Sequence, residues 1–340
     1  MSVKMKRSMW LCGGVFLVAL TAWVYQLRQG LILPNMQNSS SWGLYISGLA
    51  FFVGNAAGGL VLTSAIYLYI LLLPDLTGKL TRLAIKVDNP HEFSEKWAKR
   101  LAPVAMLFTI GIHVVTAWIF STQGGRDWWF SPAMAPDFVS VAMAVGTTVV
   151  LLAEALAYGT GEKYQDAYAI LALIIFMATC VHLFLMMNDL VIHAWYGNGE
   201  THRIMEIAWG DFAWAHIFEV ASLVVAAVLL TQKAVRGSLP LPMLSCGLFI
   251  AGVFVHRFLI MPAAYNAIPL TMVPFSLPNT HRSLPIASGR FFRGFSTFVD
   301  QYSYMPSSIE VIILLGIVAY ALLLVLLAID RLPILMKEKM

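Results

Sequence analysis

The chain has 340 residues, of which 59% are hydrophobic and 12% charged, with a formal net charge of +4. Soluble globular domains carry about 25% charged residues, so the composition excludes that class. The small positive charge gives no basis for a nucleic-acid partner, and what remains is a polytopic membrane protein.

Crossing a bilayer takes roughly 20 apolar residues. Runs of that kind fall at about 9–28, 43–73, 101–120, 138–159, 168–190, 211–232, 241–262 and 307–329. The first follows Lys4, Lys6 and Arg7, as the core of a secretory signal would, but no convincing small-residue cleavage site comes after it, so it is expected to remain as a span. The expected fold is all-α: a single integral membrane domain over residues 1–340 with eight transmembrane helices. Of the 22 Lys and Arg, all but seven fall before, after or between the runs on one side. The seven are Arg28, Arg126, Arg203, Arg282, Arg290, Arg293 and, inside a run, Arg257. By the positive-inside rule both termini are expected to be cytoplasmic. Cys12, Cys180 and Cys246 stand alone in separate runs without a C-x-x-C pair, so no iron–sulfur cluster or other metal is expected to be held by this chain. The basic segment 76–100 reads as a solvated topogenic loop. The long outer segment 263–306, with "RFFRGF", reads as the cover of a site or the grip of an extramembrane partner.

Ionisable groups inside spans are costly and mark function by default. With the orientation above, His113 falls in the outer half of span three, and His182 and Asp189 in the outer half of span five with His193 just beyond. Span six opens "GDFAWAHIFEVAS", which puts Asp211, His216 and Glu219 in its outer turns. His256 and Arg257 lie past the middle of span seven. Each histidine taken singly is as well explained by a hydrogen bond between helices. Four helices delivering titratable groups to one depth point instead to a shared pocket. His216 and Glu219 at i,i+3, like Asp189 and His193 at i,i+4, share a helix face, and paired acid and imidazole groups suit proton exchange. On the inner side stands Glu154, with Thr147 and Thr148 on the same span, a candidate proton path.

The second run spends five glycines and Asn55 between Gly43 and Gly59. Ala50, Gly54 and Gly58 make a small-residue stripe that suits close backbone approach in lipid, with Asn55 available to bond across the contact. The string "WGLYISGLAFFVGNAAGG", Trp42 to Gly59, resembles the opening signature of the polysulfide-reductase-type (NrfD-like) membrane subunits. "HRFLIMPAAYNAIPL", His256 to Leu270, resembles that family's late arginine-bearing helix. The resemblance implies two four-helix bundles in a prokaryotic cytoplasmic membrane and an exchangeable menaquinone or ubiquinone near the outer face, with no haem or iron–sulfur cluster in the chain. It also implies an iron–sulfur electron-transfer subunit on the outer face, a catalytic oxidoreductase subunit and, in some members, proton movement. Carried over by position in the helices, it makes His113, Asp189, His216 and Glu219 the expected catalytic groups. Asn55, Trp42, Tyr45, His182, His256 and Arg257 become the expected quinone-binding groups. Two other classes stay open: a haem-b anchor, for which the histidines offer an outer pair and no inner one, and a secondary transporter, which would place its polar groups nearer the midplane.

Overall fold

The computed structural model describes residues 3–29, 43–69, 90–123, 128–196, 205–266 and 306–331. Trp42, the segment 76–89 and most of the long outer segment lie outside these residues. Among the described residues all regular structure is helical, and each of the eight apolar runs coincides with a helix. These are α1 (Val3–Gln29), α2 (Leu44–Tyr69), α3 (Pro90–Ser121), α4 (Met134–Tyr158), α5 (Gln165–Tyr196), α6 (Ala213–Thr231), the short α7 (Lys233–Arg236), α8 (Pro240–Asn266) and α9 (Ser308–Arg331). A π-helical turn, Ile207–Asp211, leads into α6.

Five stretches are long and apolar enough to cross a bilayer: Lys6–Gln29, Met134–Leu156, Glu162–Trp195, Ala213–Thr231 and Pro240–Pro262. Leu44–Ala56, Met106–Ser121 and Ser308–Leu324 are shorter apolar helices. Leu107, Phe108 and Trp118 of α3, and Phe184, Met187 and Trp195 of α5, are more than half exposed. A soluble surface does not present apolar side chains on that scale. The protein is a multi-pass membrane protein.

The chain forms two compact units, residues 1–49 with 258–340, and residues 50–257. In the first, α1 packs along α9, Phe16 stacks on Tyr320 at 4.8 Å between ring centroids, and a Cβ on Gly316 would collide with Ala19. In the second, α4 packs against α3 and α5, and α5 against α6. Small and large side chains interdigitate there, Ala172, Ala226 and Ala227 filling between Tyr168, Ile175, Leu223, Leu230 and Phe249.

Close helix approach occurs, but not where the second run suggested. A Cβ on Gly54 would meet nothing within 4 Å, and Asn55 donates to the Phe51 carbonyl of its own helix at 2.9 Å rather than across a contact. The tight crossing in this unit is at Gly252 of α8, where a Cβ would strike the Ser222 hydroxyl and come within 3.2 Å of Leu223. Gly252→Ala is therefore expected to lower stability by about 1–3 kcal/mol through overpacking, read as a fall in Tm of the detergent-solubilised protein. Gly54→Ala should leave Tm unchanged or raise it, since alanine is the better helix former.

The corner joining α4 to α8 is fastened by backbone acceptors. Gly159 takes φ +79 as α4 ends, a conformation that costs a side chain strain. Gln165 Nε2 donates to the carbonyls of Thr160 and Arg236 at 3.0 and 3.1 Å. Arg236 donates to Leu230 O at 2.8 Å and to Thr231 O, so a cation satisfies the open carbonyls where α6 ends. This corner is at the end of α4 opposite to Asp137, leaving the other end for chemistry.

Candidate functional site

Four helices of the second unit contribute to one network. Asp137 lies in the first turn of α4, His182 in the second half of α5, Glu219 in the first half of α6 and His256 in the second half of α8. Because successive helices run in alternate directions, these positions fall at one level, as the depth of the polar residues suggested.

Asp137 sits at the centre. Its Oδ1 lies 2.5 Å from His182 Nδ1 and its Oδ2 3.4 Å from His256 Nε2. The other ring nitrogen of His256, Nδ1, is 2.7 Å from Glu219 Oε1. Glu219 Oε2 in turn lies 3.3 Å from His216 Nδ1. Acid and imidazole therefore alternate from His182 through Asp137, His256 and Glu219 to His216. An imidazole with a carboxylate at each nitrogen can take a proton on one side and release it on the other. The network is shielded: Glu219 and His182 are 1% exposed, while the Asp137 and His256 side chains keep 14%.

Arg257, the next residue along α8, is 1% exposed. Its guanidinium carbon stands 3.7 Å over the ring of Phe138, a cation–π contact, and its charge interacts with those of Asp137 and Glu219. Among the described residues none of its three nitrogens has a hydrogen-bond acceptor. Burying such a group without acceptors is expensive, so this is a cation held ready for an acceptor from outside. His113 shows the complementary lack. Its Nδ1–H donates to Thr109 O at 3.1 Å, which leaves Nε2 as an acceptor, and among the described residues that atom has no donor.

A second group surrounds His216. Trp209, carried by the π-helical turn, stacks on the His216 ring at 5.1 Å, and Trp128 meets it edge-on at 6.4 Å. Trp128 also lies 5.7 Å from the His193 ring. Asp189 accepts from Ser131 Oγ at 2.5 Å and has His193 Nδ1 at 3.7 Å. π-Helical turns recur at functional positions, and this one presents Trp209 to a histidine of the network.

His113, His182, His216, Glu219, His256 and Arg257 thus all belong to the second unit, and four of them to one network. Asp189 pairs instead with Ser131 and His193. Asn55 is in the same unit, bonded to its own helix. Tyr45 belongs to the first unit, where its hydroxyl donates to Gln26 at 2.6 Å, and Trp42 lies outside the described residues. Thr147 and Thr148 are fully buried and donate to the Met143 and Ala144 carbonyls of their own helix. Glu154 stands on α4 about 25 Å along the axis from Asp137. A cavity of about 10 Å³ borders His182, lined also by Thr179, Ala144 and Leu223, room for about one water.

Asp137, Phe138, Trp128, Trp209 and Ser131 were missed by sequence reasoning. The signal for Asp137 was local: an acid next to Pro136 at the start of an apolar run, where the first-turn amides and the helix dipole favour negative charge.

A family model described as "Polysulphide reductase, NrfD" matches residues 77–269, more than half of the chain and all of the network. A protein of Halobacterium salinarum described as a "Putative dimethyl sulfoxide reductase membrane subunit" is 24% identical over 402 aligned residues, covering 94% of this chain and 89% of that protein.

Proposed function

We propose, from the premise that the chain belongs to the polysulphide reductase NrfD family, that it is the quinone-interacting membrane subunit of a multi-subunit reductase complex. In that role it exchanges electrons between a membrane menaquinone or ubiquinone and an iron–sulfur subunit on its outer face, which connects to a catalytic oxidoreductase subunit. The similarity to a dimethyl sulfoxide reductase membrane subunit supports the reductase setting. The observation that carries the quinone reading is the Arg257 guanidinium, buried without acceptors beside a network able to take up and release protons.

The available groups fit a quinone by complementarity. A quinone needs donors for its carbonyl oxygens, and a quinol needs acceptors for its hydroxyls. Arg257 offers unused donors and His113 Nε2 an unused acceptor, while the Trp209–His216–Trp128 cluster offers flat apolar faces. When bound, the quinone supplies two-electron, two-proton redox chemistry. The chain's own part is to orient it through Arg257 and His113 and to hold and move its protons. Glu219 and Asp137 hold protons on carboxylate oxygens, His256 passes one between them by using both ring nitrogens, and His182 and His216 extend the relay at its ends. The Asp189–His193 pair is a second exchange point toward the outer surface. Any inward route from His182 toward Thr147, Thr148 and Glu154 would need water near Thr179.

A haem-b anchor is less well supported by the same geometry. His182 and His256 stand 4.7 Å apart between ring centroids, nearly perpendicular, and share Asp137 instead of facing each other across a macrocycle. The quinone reading is tested by titrating the purified complex with a fluorescent quinol analogue. One saturable site per chain is expected, displaced by menaquinol or ubiquinol. No saturable binding by an intact complex would reject it, and solute uptake into liposomes by the chain alone would favour the transporter class.

A further inference from the structure

We propose that Asp137, His182 and His256 form a binding site for a divalent transition-metal ion, with zinc as its representative, and that Glu219 supports the site from behind. One ligand atom from each of the three residues lies within 4.8 Å of the others. The ligand atoms of a tetrahedral zinc lie about 3.3 Å apart, given bonds near 2.0–2.1 Å. The pair His256 Nε2 and Asp137 Oδ2 already stands at 3.4 Å. The His182 Nδ1 contact with Asp137 Oδ1, at 2.5 Å, would open by less than an ångström as one hydrogen bond is exchanged for two bonds to the ion.

An independent feature also points to a metal. Imidazoles that ligate a metal through one nitrogen characteristically donate the other N–H to a carboxylate, which fixes the tautomer and raises the basicity of the ligating atom. His256 has this arrangement: Nε2 faces the Asp137 and His182 ligand atoms, and Nδ1 meets Glu219 Oε1 at 2.7 Å. Glu219 is itself held, by His216 at 3.3 Å on its other oxygen and through its backbone carbonyl, which accepts from Ser222 at 2.9 Å. Two imidazoles and a carboxylate select borderline ions such as zinc over magnesium or calcium, which take oxygen donors. Three protein ligands leave a fourth position for water. The 14% exposure of the Asp137 and His256 side chains gives an ion a way in.

The charges set the terms of binding. Arg257 acts electrostatically on both carboxylates and opposes a second cation, so the ion binds only with Asp137 and Glu219 ionised and both imidazoles neutral. Any proton resident on the network is therefore released as the metal enters. The proposal does not rest on the quinone reading.

The test uses the full-length protein purified in detergent, loaded with Zn2+ alone and passed through a weak chelator. Retention of one zinc per chain, with zinc-edge X-ray absorption showing two imidazole ligands, is expected. Asp137→Asn and His256→Gln should lose the retained ion, and Glu219→Gln should weaken binding by about 10- to 100-fold. Cobalt(II) loading of the unaltered protein should give tetrahedral d–d bands, a readout that needs no variant to fold. Substoichiometric zinc, a thiolate-rich or all-oxygen coordination shell, or full retention in both ligand variants would overturn the site. Quinol-analogue binding, read on the same sample, separates failure of this site from failure of the quinone reading.

Discussion

Asparagine in place of Asp137 is expected to lower quinol-linked turnover of the assembled complex by about a hundredfold to ten-thousandfold, the range that positioned acid–base groups contribute. The carboxylate is the one group bonded to both His182 and His256. Asn keeps the size and a hydrogen bond but cannot hold a proton, so the relay is cut between α5 and α8 while the packing around Phe138 is retained. Because the replacement is nearly isosteric, the complex should assemble and Tm should move little. Stopped-flow reduction of the iron–sulfur partner by quinol measures the effect directly. Unchanged turnover in Asp137→Asn would remove the network from the mechanism.

Arg257→Met is expected to raise the apparent KM for quinol by roughly tenfold to a hundredfold, since a charge-assisted hydrogen bond contributes about 1.5–3 kcal/mol. Methionine preserves the aliphatic stem and a soft contact with Phe138, so the loss reports the guanidinium and not a cavity. Lysine should recover only part of the effect: it restores the charge but lacks the planar fork that both stacks on a ring and offers several fixed donors. Steady-state kinetics of the three proteins, together with direct binding of the quinol analogue, separates affinity from turnover. A purely structural Arg257 would instead show its loss in Tm, with KM unmoved in whatever protein still assembles.

The helical architecture was legible because apolar runs of bilayer length have few other outcomes, and each of the eight coincides with a helix of the structure. The level of the site was legible for a related reason. Once the orientation is set by basic residues, every span residue acquires a depth, and His182, His216, Glu219, His256 and Arg257 came out together. What could not be read was which groups touch. Asp189 looked like a member from its depth, yet it pairs with Ser131 and His193, because depth says nothing about the direction a side chain takes around its helix. Asp137 escaped for the opposite reason. It precedes the apolar run that begins at 138, whereas α4 starts at Met134, one turn earlier, and carries the aspartate inward with it.

The glycine-rich second run misled in a different way. Small-residue spacing signals the capacity for close approach, but contact needs a partner helix at the right height, and Gly54 has none within reach of a Cβ. Gly252 and Gly316 make the close approaches without standing in a conspicuous motif. The string at Trp42–Gly59, on which the resemblance chiefly rested, lies outside the residues matched by the family model, while His256–Leu270 overlaps its end. Trp209 was hidden because a π-helical turn breaks the periodicity from which a helix face is read.

The central claim is that the alternating acids and imidazoles of α4, α5, α6 and α8 border the place where quinone reacts. Photoaffinity labelling of the intact complex with an azido-quinone, followed by peptide mapping, addresses it most directly. Labels displaced by excess quinol are predicted on peptides that contain Asp137–Phe138, Trp209–His216 or His256–Arg257. Displaceable labels confined to residues 1–49 or 258–340 would contradict it.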